Sequence, residues 1–397
     1  MYCLAMLLVS CGGEESGQTN SSSTAAVAVS TPAPTPSPTP TASESEPNQT
    51  PAGQNVTVTS FPKVASGLDV ESLLGPKSIP SSNEPDRVGA FRFLCAPSHL
   101  AYDDPIVFPG EPGRSHLHQF FGNRSADAHS TYESLRQTGE STCTNELNRS
   151  SYWMPALLDG KGNVIRPNHI AVYYKRRPAS DPHFAETGTT PVMLPRGLRY
   201  IFGWDSNRRN ELQPENTKHI QWKCIDGWSP VKAPGDTMDD ALSVCSPGKK
   251  LGVSIDASTC WDGKNLDSPD HRSHMADLVR NESTNWINAC PSTHPFEIAR
   301  FVMSVEWSIA AGDEMGLFEL ASDHMLPAGA PRGSSMHADW IGAWEDSIME
   351  RWHDNCIDKL LNCSDGDLGD GQIMLRNRYY PSATVSPRLV AVPPRLS

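Results

Sequence analysis

Four stretches of this chain concentrate side chains that can bind metals or move protons. The first runs from Asp103 to Gly122 and reads Asp-Asp-Pro-Ile-Val-Phe-Pro-Gly-Glu-Pro-Gly-Arg-Ser-His-Leu-His-Gln-Phe-Phe-Gly. Two carboxylates, Asp103 and Asp104, precede a Pro/Gly turn, and Arg114, His116 and His118 follow it. On an extended strand, imidazoles two residues apart share one face. That arrangement suits metal ligation or proton transfer better than packing. The second stretch, Cys260–Met275, brings Asp262, Lys264, Asp267, Asp270, His271 and His274 into a Gly/Pro loop. One helical turn would bring His271 and His274 together. The third is Cys290-Pro-Ser-Thr-His-Pro295, and the fourth joins Asp323-His324 to His337-Ala-Asp339-Trp340.

Three functions fit these residues. Glycoside cleavage needs two carboxyl groups, one as acid and one as base or nucleophile. Asp103 or Asp104 supplies one, and Asp262, Asp267 or Asp270 the other, if the loops meet. A lyase would use His116 or His274 as base, with Arg114 or Lys264 neutralising a uronate carboxylate. His271, His337 and Asp339 complete this catalytic set. The second function is metal binding. His116, His118, His274 and His337 offer neutral imidazoles suited to zinc or copper, with a carboxylate completing the shell. The third is a non-catalytic glycan-binding or adhesin module whose Asp and Asn residues hold loops. Trp153, Tyr174, Trp261 and Trp340 are candidates for stacking on sugars, although core packing is their commoner use. The chain has no HExxH, no GxSxG and no CxxC, so zincin, nucleophile-elbow and thiolate-zinc chemistries are unsupported.

Extended segments must position these residues. Val88–Cys95, Ile170–Tyr174, Leu198–Phe202, His219–Cys224, Lys250–Ile255 and Phe296–Trp307 read as strands separated by Gly, Pro, Asn and Asp. Trp344, Ile348 and Trp352 recur every four residues and predict a helix from Trp340 to Leu360. The fold class expected is mainly β: a single loop-rich, disulfide-stapled, β-sandwich-like domain with one helix near the C-terminus.

Beyond that domain the chain reads as an export segment and a tether. Residues 1–11 end in Leu8-Val9-Ser10-Cys11 and resemble a lipobox, with Cys11 as the lipidated residue. Residues 12–58 are rich in Ser, Thr, Pro and Ala and predict a disordered tether. The globular domain is placed at 59–374, and 375–397 as an irregular tail. The chain is expected to be exported and lipid-anchored at a bacterial cell envelope or outer surface, touching the membrane through that anchor only. Eight cysteines remain: Cys95, Cys143, Cys224, Cys245, Cys260, Cys290, Cys356 and Cys363. An even set in an exported chain reads as disulfides. Sequential pairing is the simplest guess, because short loops close at least entropic cost. Pairing Cys356 with Cys363 requires the helix to end or bend, since seven helical residues span roughly 10.5 Å and a disulfide tolerates about 7 Å. The formal net charge of −13 argues against nucleic acid as a partner. A polysaccharide or glycan is the expected partner.

The stretches Tyr102-Asp-Asp-Pro-Ile-Val107, Ser115-His-Leu-His118, Leu147–Trp153, Cys260–His271, Cys290–Pro295 and His337–Trp340 resemble the secreted bacterial and fungal family of domains of unknown function called DUF1996. The resemblance spans about residues 88–370 and implies an extracellular domain, in fungi often beside carbohydrate-binding modules. It implies no particular reaction. Relatives often carry Ser-Ser-Asp where this chain has Ala321-Ser322-Asp323.

Overall fold

The computed structural model describes residues 61–211, 213, 219–227, 229–231, 237–280, 282–284 and 286–395. The expected lipobox around Cys11 and the tether at 12–58 lie outside these residues. Twelve strands build two main sheets. They are β1 (Gly89–Cys95), β2 (Pro97–Ala101), β3 (His118–Gly122), β4 (Ser151–Pro155), β5 (His169–Arg176) and β6 (Arg199–Gly203), then β7 (Ile220–Asp226), β8 (Ser229–Val231), β9 (Lys250–Asp256), β10 (Arg300–Ser308), β11 (His337–Ile341) and β12 (Asn362–Cys363).

The larger sheet has the order β8-β7-β9-β10-β5-β1-β12, antiparallel except for the β1–β12 pair. The smaller has the order β6-β11-β4-β3-β2 and is antiparallel throughout. Strand β10 shows why they stack. Phe301, Met303, Val305 and Trp307 are buried, while Val302, Ser304 and Glu306 alternate with them on the other face. Phe301 meets Tyr152 of β4, Phe202 of β6 and Trp340 of β11, with ring centroids 5.9, 5.1 and 5.5 Å away. Such aromatic contacts across two sheets make a sandwich core. The mainly β, disulfide-stapled sandwich expected from the sequence is therefore present. Trp153, Tyr174, Trp261 and Trp340 all lie buried in the protein, so none is free to stack on a sugar.

Four disulfides join Cys95–Cys143, Cys224–Cys245, Cys260–Cys290 and Cys356–Cys363. The helix near the C-terminus is shorter than its tryptophan spacing predicts. It covers Asp346–Trp352 and continues as a π turn over His353–Ile357. Trp340 and Ile341, expected in that helix, close strand β11 instead, where Trp340 faces one side and His337 and Asp339 the other with a period of two. The chain reverses at Leu360, which takes a left-handed φ of 53°, and the Cys356 and Cys363 Cα atoms lie 5.7 Å apart. Three other short helices, Tyr132–Gln137, Pro182–Thr187 and Met238–Ser243, were not anticipated. No helix among the described residues is long and apolar enough to cross a membrane.

The outer face of the smaller sheet is also covered. Phe120, Trp153, Ile201 and Ile341 pack there against Ile106 and against Tyr132 and Leu135 of the helix Tyr132–Gln137. Within the C-terminal segment, Leu389–Ala391 pairs with Asn163–Ile165.

Candidate metal centre

The same outer face carries the histidines. Strand periodicity places His118 with Phe120 on β3, and His337 with Asp339 and Ile341 on β11. Register then aligns them: Phe120 pairs with Trp153, Trp153 with Asp339, and Asp339 with Ile201. His118 pairs with Pro155 and His337 with Gly203. His116 sits just before β3 rather than on it, yet its ring packs beside those of His118 and His337. Ring centroids lie 4.1 Å apart for His116–His118, 5.0 Å for His116–His337 and 5.9 Å for His118–His337.

One ligand atom from each of these three residues lies within 4.8 Å of the others. Two nitrogens on one zinc, each about 2 Å from it, stand at most about 4 Å apart, so small ring rotations suffice to share an ion. The Nε2 atoms of His116 and His118 are buried and find no hydrogen-bond partner among the described residues. The other nitrogens of two rings are anchored: His118 Nδ1 to the Asp103 carbonyl at 2.9 Å and His337 Nδ1 to the Ser335 carbonyl at 2.7 Å. A ring that donates from Nδ1 to a carbonyl presents its Nε2 lone pair, which is how protein scaffolds hold metal-binding imidazoles.

Asp339 adds a carboxyl group. His337 Nε2 is 3.9 Å from Asp339 Oδ2, and neither Asp339 oxygen has a hydrogen-bond partner among the described residues. Burial pushes its pKa well above the ordinary carboxylate range; Asp104 adds to the rise, and Arg272 opposes it. Burial likewise lowers the pKa of His116, of His118 and of His337, keeping the rings neutral. A buried carboxyl and imidazoles without partners are costly in a protein interior. A cation among them would remove that cost.

The remaining polar residues of the first stretch hold its loop. Asp104 accepts from the Ile106 and Val107 amides, and Asp103 accepts from the Gly113 and Ala128 amides. Arg114 pairs with Glu111 and lies over the Phe108 ring. The second stretch forms a separate network. His274 uses both nitrogens, on Ser268 Oγ at 2.8 Å and the Arg199 carbonyl at 2.9 Å. Asp267 bonds Arg199 and His271, while Asp270 caps Ser268, Arg272 and Ser273. Asp262 accepts from Lys264 and Asn265. His274 is therefore outside the cluster formed by His116, His118 and His337. Arg272 connects this loop to the site region, donating to the Gly203 and Trp204 carbonyls beside His337.

Two supports escaped the reading of the sequence. Asp323 accepts from Ser335 Oγ at 2.6 Å and from the Gly333 amide at 2.8 Å, fixing the loop whose Ser335 carbonyl orients His337. Ser322 Oγ bonds Ser335 Oγ at 2.6 Å. The Ser-Asp pair was visible as a motif, but not its target. The second support is the C-terminal segment. Tyr102 Oη donates to the Pro393 carbonyl, and Arg395 donates to the Ser115 carbonyl while lying over the Tyr102 ring. It thereby straps the turn that leads into His116.

The family model of a domain of unknown function, DUF1996, matches residues 104–344. The match covers more than half of the chain, and the chain belongs to that family. No curated protein and no solved structure matches it.

Proposed function

We propose that this DUF1996 domain is an exported metalloprotein whose His116, His118 and His337 hold one divalent transition metal, zinc or copper. The observation that carries the reading is the three-imidazole cluster with two buried Nε2 atoms that have no partner among the described residues. All three donors are nitrogen, which favours zinc or copper over calcium or magnesium. When bound, such an ion supplies Lewis-acid chemistry. Asp339, beside His337, is the residue of this chain placed to hold or accept a proton there. Arg272 tempers its charge, and the 102–118 loop with the Arg395 strap orders the approach.

The substrate class we assign is polysaccharide, cleaved by hydrolysis or elimination. This draws on the chemistry of the site and on four disulfides that fit an oxidising, extracellular compartment. A lipid on Cys11 would hold the domain at the envelope. The carboxylate pair considered for a metal-free glycosidase finds less support, since Asp103, Asp104, Asp262 and Asp270 are engaged in turns.

Titration of metal-free protein with zinc chloride tests the reading. Wild type should take up one equivalent, His118→Ala should lose it, and His274→Ala should keep it. Equal uptake by wild type and His118→Ala would overturn the assignment.

A further inference from the structure

Polar residues from several strands line the outer face of the larger sheet. Between its strands and residues 376–383 lies an open groove of about 710 Å³, a volume in the range of ligand sites. Arg92, Tyr173, Lys223 and Ser304 line its floor, and Tyr380 and Ser382 its wall. Each floor residue alternates with a core residue: Arg92 lies between buried Phe91 and Phe93, Tyr173 between Val172 and Tyr174, and Ser304 between Met303 and Val305.

Charge in this groove runs against that of the whole chain. Its carboxylates are neutralised, Glu306 by Lys250 and Asp365 by Arg376. Arg92, Lys223 and neighbouring Lys175 have no ion pair among the described residues. Arg92 bonds Tyr173 Oη at 3.3 Å and lies over the same ring, Lys175 approaches that ring, and Lys223 bonds Ser254 Oγ. Tyr173 holds one end of the guanidinium through Nη1, and the remaining Arg92 N–H donors, which have no hydrogen-bond partner among the described residues, are able to engage a carboxylate. Tyr173 Oη accepts from Arg92 and keeps its own proton to donate, while the Ser304 and Ser382 hydroxyls, bonded to Ser254 and Thr384, keep lone pairs to accept, so a polyol can use both roles. A peptide strand would need a free sheet edge, whereas this site lies on a sheet face between paired strands.

We infer that this groove binds an acidic oligosaccharide, with a uronate carboxylate held by Arg92 and Lys223 and sugar hydroxyls held by the tyrosine and serine hydroxyls. The site lies across the sandwich from the histidines and stands independently of the metal assignment.

Calorimetry on the full chain tests it, with oligogalacturonate as the probe. Three controls accompany it: the fully methyl-esterified oligomer, oligoglutamate and a single-stranded oligonucleotide. Oligogalacturonate should bind, and the controls should bind at least tenfold more weakly. Arg92→Gln and Lys223→Gln should each weaken binding tenfold or more at an unchanged unfolding temperature. Lys223→Gln keeps the test decisive should Arg92→Gln disturb the sheet. Chelator treatment should leave the affinity unaltered, which separates this site from the metal centre. Absence of oligogalacturonate binding, equal or tighter binding of any control, or unchanged affinity in both variants would overturn the inference.

Discussion

His337 and Asp339 share one face of a single strand, with Nε2 and Oδ2 3.9 Å apart and, among the described residues, no hydrogen-bond partner on either carboxyl oxygen. The carboxyl is thus placed as a ligand or a neighbour of a cation held by the imidazoles. Asp339→Asn should weaken metal binding by about 10- to 100-fold, the usual effect of removing a supporting group. Metal-free Asp339→Asn should unfold no earlier than wild type, because the buried carboxyl has no partner to lose. Paired metal titrations and melting curves check this. Unchanged affinity would remove Asp339 from the site.

Asp323 acts on the same strand from a distance. It holds Ser335 Oγ and the Gly333 amide, and the Ser335 carbonyl orients His337. Asp323→Ala should lower metal affinity about tenfold or more while leaving the stoichiometry at one ion per chain. Asp323→Asn retains an acceptor oxygen and should recover most of the loss. Loss of affinity without that recovery would point to a collapsed loop rather than a positioning role.

Part of this arrangement was legible in the residues. The two-residue spacing marked His116 and His118, and the His337-Ala-Asp339 motif marked two further candidate residues. Their convergence was not legible, because it depends on strand register between segments far apart in sequence. The three-residue spacing of His271 and His274 misdirects: Ser268 and the Arg199 carbonyl occupy both His274 nitrogens. The four-residue recurrence of Trp344, Ile348 and Trp352 carried the expected helix back to Trp340, whereas Trp340 and Ile341 belong to β11. The strands of the larger sheet were the easiest to read, since segments such as β10 alternate cleanly between core and outer face.

Glu297 makes the stability of the domain depend on pH. Burial raises its pKa to about 7, and Arg176 and Arg177 oppose the rise. The folded value exceeds the unfolded value of about 4.3. The folded state therefore binds the proton more tightly, and this stabilisation is complete below about pH 4. It is lost as pH rises through the folded value near 7. Glu297→Gln removes the ionisation. Its melting temperature relative to wild type should rise between pH 5 and 8, by an amount corresponding to roughly 2–3 kcal/mol. Parallel melting profiles for the two proteins across that range would contradict the burial argument.

The metal assignment is tested most directly by X-ray absorption on the zinc-loaded protein together with its metal content. One zinc per chain with three imidazole nitrogens at about 2 Å is the predicted result, falling to two imidazoles or to empty protein in His337→Ala. A zinc spectrum without imidazole scattering, or identical spectra and content for wild type and His337→Ala, would contradict it.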